Sequence, residues 1–311
     1  MGVLENGRYV ICEEQSFDEL RKSIIYATMA RHFGVFNDCE ISYKVDNGKY
    51  YFCMSQKVSE NVKLYTLEDL DTMLKSYLNA RKLEKEALKL ADKKEGFNVD
   101  EIYEPTAQDD EEFDDDNERY SSSSKTAKFR NLGDVSKLIS ELYKNKLINY
   151  DSCARLTRRI TKMVAFDTLL RQSGRKHEDY VFISDGDLCF RLLNTGNNSG
   201  LFGNLPGFTF YTYKPNARSK EKDDGILTYD KLFDKRQQSK NTSKFNSEFV
   251  SQSKVLLGKM SFQEIESVLK KLDIIYPKLD LPKSEKNLKA INDMFEAQRV
   301  RVKDHIQKYD F

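Results

Sequence analysis

The sequence predicts an α+β protein with an N-terminal α+β module, an acidic disordered linker, and a larger, mainly helical domain that contains a small antiparallel sheet and a long C-terminal helix. Apolar residues recur at helical spacing behind recognisable capping sequences. Short β-rich runs flank Asn47-Gly48 and Asp185-Gly186, and both dipeptides favour tight hairpin turns. The predicted boundaries are 1–95 for the first module, 96–126 for the linker and 127–311 for the second domain.

Bulk composition limits the classes of protein that the chain can belong to. Its 311 residues are 39% hydrophobic and 32% charged, which is typical of a folded globular protein. The net charge of +1 provides no whole-molecule field, so binding to nucleic acid or to an anionic surface would need a local patch. Because no apolar run approaches the ~20 residues of a membrane span and the N-terminus lacks a signal-peptide pattern, we expect an intracellular protein without a membrane partner.

The cysteines and histidines do not form a recognisable ligand pattern. The five cysteines are odd in number and widely spaced, which argues against a disulfide framework and against a zinc site. We therefore expect buried free thiols, and we predict no metal site and no cofactor. The five are Cys12, Cys39, Cys53, Cys153 and Cys189.

The first module is expected to run strand, helix, hairpin, helix. Ser16 and Glu19 form a capping-box sequence ahead of an amphipathic helix that stops at Gly34. Two β-rich runs within 39–55 surround Asn47-Gly48, which supplies the positive φ angles of a tight turn. A second helix opens near Thr66, and its highly charged far end is expected to be solvated.

The predicted linker begins with a strongly acidic block. Residues 100–118 carry eleven acidic side chains and no basic one. High charge with few apolar groups cannot offset the entropy of ordering, so a disordered arm is expected. The arm is a solubilising linker, a regulatory element that mimics nucleic acid and competes for basic residues, or a docking tail for a basic partner.

The second domain shows helix signals around one small sheet. A helix is predicted after the cap at 131–134, a break at Asn149 to Ser152, and a second helix from about 153 to 171. A capping-box sequence from Ser261 to Glu264 precedes another predicted helix. A hairpin is predicted around Asp185-Gly186, followed by a third strand. The remaining predicted elements are the strand 208–213 and the helices 229–236, 245–257, 262–275 and 284–309.

The C-terminal helix carries an apolar seam at heptad-like spacing that must be buried on its own domain or on a second chain. Gln298 and His305 interrupt the seam, and polar seam positions restrict register, which favours contact between chains. We predict self-association or a protein partner here, with docking inside the chain as the alternative. The seam residues are Leu288, Ile291, Phe295, Val302 and Tyr309.

A row of basic side chains is the strongest binding signal in the sequence. Four cations recur on one face of the helix 153–171, and such a row can follow a phosphate backbone; the alternative is an ordinary solvated face. Tyr211 and Tyr213 lie in the aromatic strand 208–213, where rings beside cations could stack on bases or could simply pack in a core. The row, which we call the basic stripe, consists of Arg155, Arg158, Arg159 and Lys162.

Catalytic signals are weaker. The glycines at 196, 200, 203 and 207 lack the Lys-Ser/Thr of a phosphate-binding loop, so a hairpin loop is favoured over a nucleotide site. Asp185 and Asp187 are closely paired carboxylates, but a turn explains them without a metal. No catalytic residue is predicted.

The function predicted from these signals is a non-enzymatic nucleic-acid-associated or assembly protein that binds phosphate backbone, DNA or RNA, through the basic stripe. One alternative is a purely structural protein–protein component of a large assembly, such as a virion or another multi-subunit particle. The third possibility is a metal-dependent nuclease that uses Asp185.

Overall fold

The computed structural model confirms the α+β class. The chain divides into two compact units. The first consists of Met1–Leu67 together with Phe129–Phe311, and the second consists of Glu68–Lys128. The predicted linker, strand 208–213 and helix 229–236 lie outside the described residues, and the predicted domain boundaries stay a prediction. The structure describes residues 3–36, 39–59, 62–95, 132–172, 179–184, 186, 188–193, 201–204 and 240–309.

A four-stranded antiparallel sheet opens the first unit. Its spatial order is β1-β2-β4-β3. The predicted hairpin is confirmed, because Asn47 and Gly48 take φ angles of 49° and 77° between β3 and β4. The short first strand was not predicted. The strands are β1 (Val3–Glu5), β2 (Arg8–Gln15), β3 (Glu40–Asp46) and β4 (Lys49–Lys57).

Helix α1 (Phe17–His32) packs against this sheet and is buried along most of its length. The capping box is confirmed, since the Ser16 side chain accepts from the Glu19 amide and the Glu19 carboxylate accepts from the Ser16 amide. Side chains alternate along β2 and β4, so one sheet face is buried under α1 and the other is more exposed. We call these the inner and outer faces.

A second antiparallel sheet lies in the same unit, in the order β5-β6-β7. The predicted hairpin is confirmed as β6 (Phe182–Ser184) and β7 (Phe190–Leu192). Its third described strand is β5 (Lys63–Tyr65), which comes from the N-terminal part of the chain and was not predicted. The two parts of the sequence on either side of the predicted linker therefore share one sheet.

Helix α4 (Tyr150–Leu169) packs against three helices of this unit and against β7. The three are α3 (Leu132–Lys144), α6 (Lys240–Lys259) and α8 (Glu285–Tyr309). Helix α4 begins earlier than predicted because the Asn149 side chain caps it by accepting from the Ser152 amide at 2.8 Å. Ser261 caps α7 (Phe262–Ile275) in the predicted way. The short helix α5 (Leu201–Asn204) also belongs to this unit.

The described part of the other unit is the long helix α2 (Leu67–Glu95), which confirms the predicted second helix. An ion pair of 2.7 Å joins Lys75 Nζ to Asp71 Oδ2 one turn apart. Among the helices in the described ranges, none combines the length and the apolar character that crossing a membrane requires.

The apolar seam of α8 packs inside the chain. Ile291, Phe295 and Val302 are fully buried, and Leu288 is half-buried. The helix contacts α4, α6 and α7 of its own unit. These side chains are buried within their own unit, which favours the alternative of docking within the chain, and self-association through this helix stays a prediction. The side chain of Tyr309 lies outside the described part.

Candidate functional site

A basic cleft lies at one end of the four-stranded sheet. Its volume is about 730 Å³, and its walls come from the start of β2, the end of β4, the C-terminal turn of α1 and β7. Four basic side chains and one acidic side chain line it, which leaves three positive charges in excess. The charged lining residues are Arg8, Arg31, Lys57, Arg191 and Glu40.

Arg8 is held in place by the neighbouring strands. Its Nη2 donates to Ser55 Oγ at 2.7 Å and lies 2.9 Å from Glu40 Oε2. Ser55 is the cross-strand partner of Glu40, so the strand register brings these two groups together beside Arg8. The guanidinium of Arg8 is therefore oriented before any ligand binds.

The other two arginines reach the cleft from separate elements. Arg31 lies in the last turn of α1, and its Nη1 donates to the Cys39 carbonyl at 3.1 Å. Arg191 lies between buried Phe190 and Leu192 on β7, so the alternation of the strand places it on the opposite face from those two side chains. Arginine forks give bidentate contacts to carboxylate and phosphate groups. The cleft can accordingly bind an anionic ligand that carries phosphate.

One half-buried carboxylate, that of Glu13, lies elsewhere on the inner side of β2. Burial raises the pKa of Glu13, and the charge of Asp179 raises it further. A carboxylate in such surroundings takes up a proton more readily than an exposed one. Glu13 is five residues from Arg8 along the strand, roughly 17 Å at about 3.3–3.4 Å per residue, so it does not belong to the basic cleft.

A metal site does not emerge from the described ranges. Within them, no group of three or more His, Cys, Asp or Glu side chains is arranged to hold a metal ion.

The basic stripe of α4 is not a continuous free surface. Arg155 is exposed, and Arg158 is exposed but lies 3.6 Å from Glu248 Oε1. Arg159 is half-buried, and this burial lowers the pKa of its guanidinium to about 10. Lys162 Nζ donates to the Gly34 carbonyl at 2.7 Å. The sequence spacing identified one helix face correctly, but tertiary contacts occupy much of that face.

The other predicted positions lie mainly outside the described residues. This holds for Tyr211 and Tyr213 and for the carboxylates Asp185 and Asp187. Of the glycine-spaced loop, residues 201–204 are described, and they form the short helix α5 instead of a loop.

Comparison with known proteins finds similarity in three-dimensional structure only. No protein-family model matches the chain, and no curated protein matches it. Among solved structures, the chain is similar to the Helicobacter pylori proinflammatory kinase CtkA, with a TM-score of 0.53 and 11% sequence identity. The similarity covers 99% of this chain and 93% of the kinase. It shows that the chain has the fold of that kinase.

This similarity corrects the function predicted from the sequence. A non-enzymatic nucleic-acid-associated or assembly protein was expected because Arg155, Arg158, Arg159 and Lys162 align on one helix face. That expectation is wrong, because the fold is that of a kinase over nearly the whole chain. The prediction relied on a local charge pattern, which carries no information about the architecture around it.

The similarity does not identify catalytic residues. Protein kinases are typified by a G-x-G-x-x-G loop, an H-R-D catalytic loop and a D-F-G segment, and none of these three motifs occurs in the sequence. The inner face of the described sheet also carries no lysine that could pair with nucleotide phosphates. We therefore carry no functional residue over from the kinase to this chain.

Proposed function

We propose that this chain is a kinase-fold protein that binds a nucleoside triphosphate through the basic cleft. The observation that carries the proposal is the excess of positive charge in a cleft of the kinase-like fold. Kinases use cationic groups to hold the phosphates of their nucleotide. Here Arg8, Arg31, Lys57 and Arg191 supply that charge from four different elements.

The dimensions of the cleft support this proposal. Its volume of about 730 Å³ falls within the range of about 300–1,000 Å³ that is usual for small-molecule sites. Leu192 and Leu193 add apolar surface beside the charged groups, which suits a ligand with both a base and phosphates. All five cysteines are thiols outside any disulfide, which supports an intracellular location as part of the same proposal.

Removing two cationic side chains should weaken nucleotide binding strongly. In Arg8→Gln/Lys57→Gln, each lost contact to a charged phosphate should cost about 1.5–3 kcal/mol, which corresponds to roughly 10- to 100-fold in Kd per contact. Isothermal titration calorimetry with ATP in a magnesium-containing buffer would measure the loss. Lys44→Gln is the matched control, because Lys44 lies on the same sheet but does not line the cleft. A wild-type chain that does not bind ATP, or a double variant that binds it equally well, would overturn the proposal.

A further inference from the structure

Two cysteines lie side by side on the outer face of the four-stranded sheet. Cys12 of β2 and Cys53 of β4 are direct cross-strand partners, and their Sγ atoms are 3.1 Å apart. Cys12 is exposed and Cys53 is half-buried. A thiol pair this close on adjacent strands is positioned to react as a pair.

The strand geometry permits a covalent bond between them. Directly opposed residues in an antiparallel pair have Cα atoms about 4.5 or 5.5 Å apart, depending on the hydrogen-bonding position. Both distances fall within the range of about 4.4–6.8 Å that disulfides use. Joining Cys12 to Cys53 therefore requires side-chain rotation but no movement of the strands.

We propose that Cys12 and Cys53 form a reversible disulfide, which makes this pair an oxidation site on the outer face of the sheet. The oxidant is a low-molecular-weight disulfide such as glutathione disulfide. The Cys12 thiolate attacks one sulfur of that disulfide, a Cys12–glutathione bond forms, and one glutathione thiolate leaves. The Cys53 thiolate then attacks the Cys12 sulfur and releases the second glutathione, so two protein thiols lose two protons and two electrons while glutathione disulfide is reduced.

The surroundings of the two thiols explain this order of steps. Burial raises the pKa of Cys53 to about 12, with further contributions from its contact with Cys12 and from the Cys12 charge. Cys53 therefore stays protonated near neutral pH, and the exposed Cys12 is the first nucleophile. Once Cys12 is bonded to glutathione, its sulfur carries neither a negative charge nor a thiol proton that could hydrogen-bond to Cys53. The two contributions of Cys12 to the raised pKa of Cys53 are then lost while the burial remains, so the fraction of Cys53 present as the attacking thiolate increases.

The other cysteines provide a contrast within the same chain. Cys39 is buried, and Cys153 and Cys189 are half-buried. Cys189 Sγ already accepts from Asn149 Nδ2 at 3.3 Å. Disulfide formation should therefore be confined to the Cys12–Cys53 pair, and it does not depend on whether the cleft binds nucleotide.

Peptide mapping after oxidation tests the proposal. The full chain is incubated under native conditions with glutathione disulfide, its remaining thiols are blocked, and it is digested with trypsin. Each cysteine falls in a different tryptic peptide, with Cys12 in 9–21 and Cys53 in 50–57. The expected product is these two peptides joined, with the loss of two hydrogen atoms and with complete reversal by dithiothreitol.

Three serine variants make the test specific. Cys53→Ser should stop at a Cys12–glutathione adduct, and Cys12→Ser should give neither the adduct at that position nor the linked peptides. Cys153→Ser should give the same linked peptides as the wild-type chain. The proposal is overturned if glutathione stays on Cys12 in the wild-type chain, if Cys12 and Cys53 are both left reduced, or if the main linked peptides contain Cys39, Cys153 or Cys189.

Discussion

Replacing Phe295 with aspartate is expected to abolish the cooperative fold. The Phe295 ring is fully buried, and its helix α8 contacts α4, α6 and α7 of the same unit. Losing a buried aromatic ring costs about 3–5 kcal/mol, and burying an unpaired carboxylate costs several more. The sum is comparable to the whole stability of a typical domain, which is about 5–15 kcal/mol. Circular dichroism should show loss of helix and no thermal transition.

A matched variant on the same helix shows whether the effect comes from the buried position of Phe295 or from introducing an aspartate into the helix. Val300 is 57% exposed, so Val300→Asp should change the stability by no more than about 0.5 kcal/mol. Light scattering of the wild-type chain completes the test. An oligomeric wild type together with a folded, monomeric Phe295→Asp would show that α8 meets a second chain after all.

Local sequence patterns predicted most of the described helices, because helix caps and amphipathic faces are formed by residues that are close together in the sequence. The Ser16 and Ser261 caps are confirmed for this reason. Asn149 was interpreted as a helix break, although its side chain caps α4, because caps and breaks share the same residue types. The three-residue strands β1 and β5 were missed because three residues are too few to show an alternating pattern.

The candidate site was beyond local sequence reasoning. The basic stripe was conspicuous because its members are three and four residues apart, yet Lys162 and Arg158 are engaged by Gly34 and Glu248 from distant parts of the chain. The basic cleft takes single arginines or lysines from β2, α1, β4 and β7, none of which stands out in its own segment. The unusual thiol pair was also missed, since only the strand register shows that Cys12 faces Cys53.

One buried hydrogen bond connects the two central helices of the unit. Tyr26 of α1 donates from its hydroxyl to Asp167 Oδ1 of α4 at 2.5 Å, and both side chains are buried. The Tyr26 ring also packs edge-on against Phe36 and Phe166, with centroid distances of 5.8 and 5.3 Å. The polar and apolar contributions of this tyrosine can therefore be measured separately.

The Tyr26→Phe variant keeps the ring and removes the donor to a buried carboxylate, so it should cost about 1.5–3 kcal/mol. Tyr26→Ala removes the ring as well and should cost a further 3–5 kcal/mol, roughly. Urea unfolding measures the free energy of unfolding of each variant, and the comparison holds where the m-value is the same as that of the wild-type chain. Tyr276→Phe is the control, because Tyr276 donates to the neutral Ile41 carbonyl at 3.0 Å and is half-buried, so it should lose only about 0.5–1.5 kcal/mol.

A double-mutant cycle with Asp167→Asn then isolates the Tyr26–Asp167 interaction from the other contacts of each residue. Because the two groups are in direct contact, the coupling free energy should lie between about 0.5 and 3 kcal/mol. If coupling is absent and Tyr26→Phe costs no more than Tyr276→Phe, the hydroxyl does not stabilise the α1–α4 contact. The stability that Tyr26 provides would then come from the packing of its ring, which includes the contacts with Phe36 and Phe166.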